Sequence, residues 1–249
     1  MKLVILAAGK GQRLGAHAGD SPKSLVAIAG EPYLAWQFSA FARFSFQQKI
    51  IVTGYAADKL LSFLSTGNHQ DWLAVNNPNF HKGNLYSLAV ALPQLEGDGF
   101  FIFNADHFYS PKTYAKIFSQ EPKDIVVFID RDRPLGDDDM KAELNADASL
   151  LRMAKTLTQW QAGYVGVTWV PAHRFMAYQA AFAATADHLG ESANVEAVLN
   201  ELAQKGERIQ AVDLSGSWWT EIDTPEDLER ARQTIEKHKK DLHDTTSNR

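Results

Sequence analysis

Residues 6–15, LAAGKGQRLG, follow a short apolar run and combine three glycines with two cations. A glycine-rich turn behind a strand exposes backbone N–H groups and lets an anion approach closely. Arg13 can bind two phosphate oxygens at once, and Lys23, ten residues later, adds a compact positive charge. This spacing predicts a polyphosphate site. The alternative is a surface loop with solvated cations.

Two well-known phosphate motifs do not fit this loop. The P-loop pattern GxxxxGK[ST] is absent from the chain. The dinucleotide fingerprint GxGxxG requires glycine at position 14, where the sequence has Leu14, and the third glycine falls one place late at Gly15. What remains is GxGxR, from Gly9 to Arg13, followed by Pro22 and Lys23.

Carboxyl groups follow two of the apolar runs that read as strands. Asp106 comes just after GFFIF, and Glu221 and Asp223 lie at the end of WWTEI. Residues two apart in a strand share a face, so Glu221 and Asp223 could both reach a metal ion or its waters. Transfer between phosphates requires charge neutralisation and in-line alignment rather than a general base, and Mg2+ prefers carboxylate, water and phosphate ligands. The alternative for Asp223 is helix capping, because DTPE is also a capping sequence.

Other catalytic chemistries find little support. The chain has no cysteine, which excludes disulfides, thiolate metal sites and cysteine nucleophiles. Its eight histidines form no HExxH or similar zinc pattern. His107 adjoins Asp106, but strand alternation predicts that its ring points away from that carboxylate. We therefore expect His107 to orient or contact a substrate.

Composition narrows the classes of partner. Lys and Arg total 25 against 30 Asp and Glu, a formal charge of −5, which excludes a basic surface for wrapping nucleic acid or docking on an anionic membrane. The apolar stretch near the N-terminus is too short for a signal sequence or a membrane span. We expect a cytoplasmic protein; the sequence does not indicate an oligomeric state.

Short apolar runs alternate with segments of helical period, as is typical of βαβ units around a mostly parallel sheet. Strands are predicted at 3–6, 49–53, 73–75, 99–103, 124–129, 163–170, 209–213 and 218–222. Helices are predicted at 32–44, 56–65, 84–95, 111–118, 172–184, 194–206 and 223–240, with a hairpin around 145–149. The predicted fold class is α/β, a single Rossmann-like domain over residues 1–237, with a flexible tail at 238–249.

Longer segments resemble a known family. VILAAGKGQRLG and SPKSLVAIAGEPYL resemble the signature LxAAGxGxRxG and PKxL of the sugar-nucleotidyltransferase-like superfamily. NNPNFHKGNLYSL, FNADHFYSP, VTGY and WWTEIDTPEDLERAR are similar to segments of cytidylyltransferases that activate phosphocholine or inositol 1-phosphate. The resemblance implies a GT-A-like, nucleotide-diphospho-sugar transferase fold, CTP or another NTP as donor, and Mg2+ as cofactor.

The same resemblance implies roles for individual residues. The implied catalytic residues are Arg13, Lys23, Asp106 and Asp223, of which Asp106 and Asp223 would bind the metal. The implied nucleotide contacts are Leu6, Ala7, Ala8, Gly9, Gly11, Arg13, Lys23, Gly54, Asn77 and Asn84. The expected contacts to a small phosphorylated alcohol are Lys82, Tyr86, His107, Lys141, Tyr164, Trp219 and Glu221. Lys141 is included because family members carry a lysine in that region that binds the acceptor phosphate.

The sequence does not decide between phosphocholine and inositol phosphate as the acceptor. AGYVGVTW is similar to the phosphocholine group, whereas NADHFYSP and HKGN are similar to the inositol phosphate group. A quaternary ammonium requires a box of aromatic faces, and a cyclitol requires hydroxyl partners. The three aspartates at 137–139 indicate a solvated loop, and they could also attract a cationic acceptor.

Two other functions remain as alternatives. One is a sugar-1-phosphate nucleotidyltransferase that uses UTP, GTP or dTTP. The other is a nucleotide-sugar glycosyltransferase or a nucleotide-binding module, which would not need GxGxR, Lys23 and two strand-end carboxylates together.

Overall fold

The computed structural model describes residues 1–17, 19–67, 69–119 and 122–243. The strands in chain order are β1 (Lys2–Leu6), β2 (Ala27–Ile28), β3 (Glu31–Pro32), β4 (Gln48–Thr53), β5 (Trp72–Asn76), β6 (Phe100–Asn104), β7 (His107–Tyr109), β8 (Ile125–Asp130), β9 (Lys141–Leu144), β10 (Leu150–Ala154), β11 (Ala162–Val170), β12 (Ile209–Asp213) and β13 (Trp219–Glu221). The helices are α1 (Tyr33–Phe41), α2 (Ala57–Thr66), α3 (Asn84–Leu95), α4 (Pro111–Phe118), α5 (Phe175–Leu189), α6 (Val195–Gln204) and α7 (Pro225–His243).

Nine of these strands form the main sheet, in the order β10-β9-β11-β6-β1-β4-β5, with β8 paired to β11 and β12 to β8. The parallel pairs are β1 with β4 and β6, β4 with β5, and β8 with β12. Seven of the nine strands run in one direction, and β10 and β11 oppose them. The predicted mixed, mostly parallel sheet is therefore confirmed.

The sheet separates two hydrophobic cores, because alternate side chains of each strand point to opposite faces. In β1, Leu3 and Ile5 pack in one core and Val4 and Leu6 in the other. Apolar side chains of α1, α2, α4 and α7 cover the first face, and those of α3, α5 and α6 cover the second. The described elements thus form a single α/β domain.

The predicted helices and the longer strands are all present, with ends that differ by a few residues. Helix starts follow the chemistry of their first residues: Ser110 accepts a hydrogen bond from the Thr113 N–H at 3.1 Å, and Asn194 accepts one from the Ala197 N–H at 2.9 Å. The predicted hairpin joins β9 to β10, where the Asn145 N–H donates to the Ser149 carbonyl at 2.8 Å.

Three short strands were not predicted: β2, β3 and β7. β2 pairs with β3, and β7 pairs with β13, each as a separate two-stranded sheet. Runs of two or three residues carry too few alternations to indicate a strand, and their pairing comes from tertiary contacts.

Helix α7 continues to His243, so residues 238–243 of the segment predicted as a tail are helical. Residues 244–249 of that segment lie outside the described residues. Among the helices described, none has both the length and the apolar character that crossing a membrane requires.

Candidate active site

The predicted catalytic residues meet at the carboxyl edge of β1 and β6. There β7 pairs with β13 in a register that sets Glu221 opposite His107. The Ile222 N–H donates to the Asp106 carbonyl at 3.0 Å, which extends the pairing past the strand end. This register brings Asp106 next to Asp223, two residues that lie far apart in the sequence.

Lys23 joins the two aspartates. Its Nζ lies 2.7 Å from Oδ2 of Asp106 and also bonds the carboxylate of Asp223. Burial opposes a charge on Lys23, but the two carboxylates outweigh burial and raise its pKa above the ordinary value. Burial likewise opposes ionisation of Asp106, yet Lys23 and His107 hold its pKa well below the usual range. Lys23 and Asp106 are therefore held in their charged forms.

The glycine-rich loop positions the cations. Gly11 has φ of +68°, and a Cβ there would lie 2.8 Å from the Cβ of Lys23, so the loop can rest on the lysine stem only with glycine. Arg13, two residues later, donates to Asp223 at 2.7 Å and to Asp138 at 2.8 Å. The side chain of Arg13 is 46% exposed, so its guanidinium can reach a ligand.

Asp223 does not serve as the helix cap that the sequence left open. The N–H groups of Asp223 and Thr224 both donate to Oδ2 of Asp227, at 3.1 and 2.9 Å, and the Asp227 N–H donates to the Thr224 hydroxyl at 3.2 Å. Thr224 and Asp227 thus cap α7 reciprocally. The carboxylate of Asp223 is left to face Lys23 and Arg13.

His107 lies against Asp106, and the predicted orientation away from it is wrong. Its Nδ1 is 2.6 Å from Oδ1 of Asp106, and its Nε2 is 3.8 Å from Oε2 of Glu221. The alternation argument failed because Asp106 lies in the turn before β7 and not in a strand. Gly166 in β11 has φ of +77°, and a Cβ there would lie 3.0 Å from the His107 ring, so an irregularity in β11 makes room for it.

Electrostatics around His107 couple several groups. Burial would lower the pKa of His107, but the carboxylates of Glu221 and Asp106 raise it. Burial and the repulsion of Asp106 and Asp223, against the attraction of His107, raise the pKa of Glu221 to about 7. One ligand atom from each of Asp106, His107 and Glu221 lies within 4.8 Å of the others, an acidic group that could hold a metal ion.

Two side chains of α1, Gln37 and Tyr33, form hydrogen bonds with the backbone of the turn that contains Asp106. The fully buried Gln37 donates from Nε2 to the carbonyl oxygens of Ala105, at 3.3 Å, and His107. The hydroxyl of Tyr33 lies 3.3 Å from the Asp106 carbonyl and 3.2 Å from the Thr220 carbonyl. Both residues touch the backbone that carries Asp106, and neither is exposed to the site.

A polar cavity of about 270 Å³ opens beside these residues. Its lining comprises Arg13, Asn84, Asn104, Asp106, His107, Asp138, Asp139, Met140, Lys155, Tyr164, Asn194, Glu196, Glu221 and Asp223. A smaller cleft of about 50 Å³ adjoins it at Asp106. Its lining comprises Leu6, Ala7, Gly9, Lys23, Ser24, Ala105 and Asp106.

The predicted nucleotide contacts divide between this cleft and the interior. Leu6, Ala7, Gly9 and Lys23 line the cleft. Ala8 and Gly54, which follow β1 and β4, are packed against each other: a Cβ on Gly54 would lie 2.7 Å from the Cβ of Ala8. Asn77 is 1% exposed, and its amide bonds the Ser87 hydroxyl at 3.0 Å. Asn84 lines the larger cavity.

The predicted acceptor contacts also divide. His107, Tyr164 and Glu221 line the larger cavity. Trp219 does not; its ring stacks on His107, and its indole N–H donates to Asp130 at 2.6 Å. The remaining three do not line this cavity. Lys82 pairs with Glu191 at 2.8 Å and lies over the ring of Tyr86; the buried Lys141 donates to the carbonyls of Gly136 and Lys155 at 2.7 and 2.8 Å.

Sequence reasoning missed Lys155, Asn194 and Glu196. Lys155 lines the cavity, is exposed and has no ion pair with any residue that the structure describes. Lys155 follows the hairpin in which the sequence singled out Lys141. The sequence around Asn194 and Glu196 is that of an ordinary helix start, and the one available signal was an acidic residue in the first turn.

The chain matches known proteins over nearly its whole length. A bifunctional IPC transferase and DIPP synthase of Aquifex aeolicus is 26% identical over 242 residues, 94% of this chain and 51% of the relative, so the chain spans about half the length of that protein. The structure of the inositol-1-phosphate CTP transferase from T. maritima superposes with a TM-score of 0.82 at 19% identity, over 99% of this chain and 98% of the other.

The structure of the CTP:phosphocholine cytidylyltransferase from Streptococcus pneumoniae superposes with a TM-score of 0.72 at 20% identity, over 94% of this chain and 98% of the other. These likenesses confirm the predicted fold. The model of one family, the MobA-like NTP transferase domain, matches residues 3–240. The chain therefore belongs to the MobA-like NTP transferase domain family.

Proposed function

We propose that this chain is a Mg2+-dependent cytidylyltransferase that transfers CMP from CTP to a small phosphorylated alcohol and releases pyrophosphate. The observation that carries the proposal is the cluster of Arg13, Lys23, Asp106 and Asp223 between a glycine-lined cleft and a polar cavity. Such a cluster can bring two anions together in an otherwise acidic protein.

On the donor side, the cleft formed by Leu6, Ala7 and Gly9 receives the nucleoside, and the cations beside it receive the triphosphate. Arg13 is well suited to bidentate contact with phosphate oxygens, and Lys23 adds a point charge. The names of the relatives support CTP as the donor: the two solved structures described above are both CTP-dependent transferases.

Asp106 and Asp223 fit a magnesium site. Their carboxylate oxygens already converge on one cation, the ammonium of Lys23, and hard oxygen donors are what Mg2+ prefers. When bound, the ion would supply positive charge that offsets the negative charge of the triphosphate. Asp106 and Asp223 would hold it, with Glu221 close by in the same cavity.

The acceptor phosphate enters from the larger cavity. We assign its binding to Lys155, because that ammonium lines the cavity without a carboxylate partner in the described chain. One oxygen of the acceptor phosphate attacks the α-phosphorus of CTP, the bond from that phosphorus to the bridging oxygen breaks, and pyrophosphate leaves with the bonding electrons. No proton moves, because the attacking phosphate is already ionised near neutral pH.

The experiment is a pyrophosphate-release assay with Mg2+ and a panel of phosphorylated alcohols, run in parallel with CTP, UTP, GTP and dTTP. We expect turnover with CTP and its loss on chelation of divalent cations. Release from UTP, GTP or dTTP in preference to CTP would instead identify a sugar-1-phosphate type of enzyme. Since the donor is an intracellular nucleotide, we place the reaction in the cytoplasm.

A further inference from the structure

The wall of the larger cavity carries two side-chain amides, those of Asn84 and Asn194, with a fixed orientation. Asn84 accepts a hydrogen bond from the Val195 N–H at 3.0 Å, and Asn194 accepts one from the Ala197 N–H at 2.9 Å. Because a backbone N–H must face the amide oxygen, the NH2 group of each side chain points away from the helix end. Both residues line the cavity, and neither NH2 group has an acceptor within the described residues.

Glu196 lies on the same wall and is 6% exposed. Its carboxylate has no salt-bridge partner and no side-chain hydrogen-bond donor in the part of the chain that the structure describes. It accepts from its own backbone N–H, and Lys155 and His107 attract it only from beyond salt-bridge distance. A buried carboxylate without a partner is costly. The other cavity carboxylates do have partners: for example, Asp138 bonds Arg13 at 2.8 Å, and Asp139 accepts from the Gly136 N–H at 2.6 Å.

The cavity does not offer aromatic faces for a quaternary ammonium. Of the described residues that line it, Tyr164 is the one tyrosine or tryptophan, and its hydroxyl is bonded to Thr168 at 2.8 Å. The ring of Trp219 is covered by His107 and by the guanidinium of Arg133, 4.1 Å from its centroid. Trp160 lies under the ammonium of Lys141.

We propose that Asn84, Asn194 and Glu196 form a hydroxyl-recognition site, so that the acceptor is a polyol phosphate with at least two neighbouring free hydroxyls. The inference rests on the proposed function and specifies its acceptor. The Glu196 carboxylate accepts hydrogen bonds from two adjacent hydroxyls, and the two amides donate to hydroxyl oxygens. Each hydroxyl can then donate and accept at once, which an ammonium group cannot do.

The test compares acceptors on the intact protein with CTP and Mg2+. The acceptors are inositol 1-phosphate, glycerol 3-phosphate, phosphocholine and phosphoethanolamine. We expect kcat/KM for at least one of the two polyol phosphates to exceed that for phosphocholine and phosphoethanolamine by about 10²-fold or more, because a site built for hydroxyls rejects ligands that lack them. A preference for phosphocholine or phosphoethanolamine would overturn the hydroxyl site while leaving cytidylyl transfer standing. Absence of pyrophosphate with every acceptor would overturn the proposed function itself.

Three variants localise the site. Glu196→Gln removes the charge, and Asn84→Asp and Asn194→Asp keep the oxygen that accepts the helix N–H while replacing the donor. Each should lower kcat/KM for the polyol phosphate about 10-fold while the KM for CTP stays unchanged. Glu201→Gln, on the same helix and away from the cavity, is the matched control. Unchanged acceptor kinetics in all three variants, with unchanged thermal melting, would overturn the assignment.

Discussion

The two sides of the site differ in how their charges are satisfied. At the phosphate edge, which we define as Arg13, Lys23, Asp106 and Asp223, every charged group has an opposite charge within hydrogen-bonding distance. At the acceptor wall, defined as Asn84, Lys155, Asn194 and Glu196, neither Lys155 nor Glu196 has an ion pair among the described residues. We therefore expect the phosphate edge to contribute to the stability of the fold, whereas we propose that the acceptor wall binds a ligand. Substitutions should separate the two.

The largest effect is expected from Asp106→Asn. The change keeps the shape of the side chain but removes the charge that is proposed to hold the metal. We expect kcat for pyrophosphate release to fall about 10³-fold, on the scale of losing a main electrostatic contact in a transition state. The exposed Asp187 provides the control Asp187→Asn, which should retain activity. Retained turnover in Asp106→Asn would remove this residue from the metal site.

Lys23→Met tests the claim that the phosphate edge stabilises the fold. The variant removes the cation that lies between the carboxylates of Asp106 and Asp223, although Arg13 still bonds Asp223 and His107 still contacts Asp106. We expect the free energy of unfolding to drop by about 3 kcal/mol. Addition of Mg2+ should restore part of that loss, since the ion binds the same oxygens. Urea unfolding with and without Mg2+ measures both effects. Lys59→Met, at an exposed lysine bonded to the Asp20 carbonyl, is the control.

Gly166→Ala tests the contact between β11 and His107. Both Gly166 and Gly216 have positive φ, +77° and +78°, but a Cβ on Gly216 meets no atom within 4 Å. Gly216→Ala should cost about 1 kcal/mol of unfolding free energy from backbone strain alone, and Gly166→Ala about 2 kcal/mol. Equal losses would show that the His107 ring yields to the added methyl group.

Lys155→Met tests the acceptor wall. We expect KM for the acceptor phosphate to rise about 10-fold, the value of one exposed charge-assisted contact, with no change in urea unfolding. Lys141→Met provides the contrast, because that ammonium bonds two backbone carbonyls, so its loss should lower stability first. The reverse pattern would return the acceptor role to Lys141, as the sequence suggested.

The smallest expected effect is a change in the pH dependence of the free energy of unfolding. Burial and the repulsion of Asp106 raise the pKa of Glu196 above its ordinary value of 4.5, although His107 and Lys155 oppose the shift. As the pH rises above 4.5, Glu196 loses its proton in the unfolded chain before it does so in the folded chain. The free energy of unfolding therefore falls with rising pH until the folded-state pKa of Glu196 is passed. Glu196→Gln lacks that decline and should gain stability relative to the wild type as the pH rises above 4.5. Urea unfolding at a series of pH values checks the sign, and a constant difference would contradict it.

The sequence predicted the phosphate edge because its signals are local. Gly11, Arg13 and Lys23 lie in one short segment, and Asp106 and Asp223 each end or follow an apolar run. The long strands were predictable for the same reason, since β1, β6 and β11 are buried on both faces and read as continuous apolar sequence.

The acceptor wall and the orientation of His107 could not be predicted in this way. They depend on the pairing of β7 with β13 and on the approach of α3 to α6, contacts between distant segments. In the sequence Asn194 looks like a helix cap, and it is one; that its NH2 group faces the cavity carries no sequence signal. Lys155 and Lys141 are equivalent lysines in one hairpin until the fold directs one inward.

The support that α1 gives to the turn at Asp106 means that the site can be silenced without altering any residue that a substrate would touch. Loss of the Gln37 amide or the Tyr33 hydroxyl would release the backbone on which Asp106 is mounted. A genetic screen for inactive variants should therefore recover α1 among its hits. A redesign confined to the cavity lining would overlook the helix on which its geometry rests.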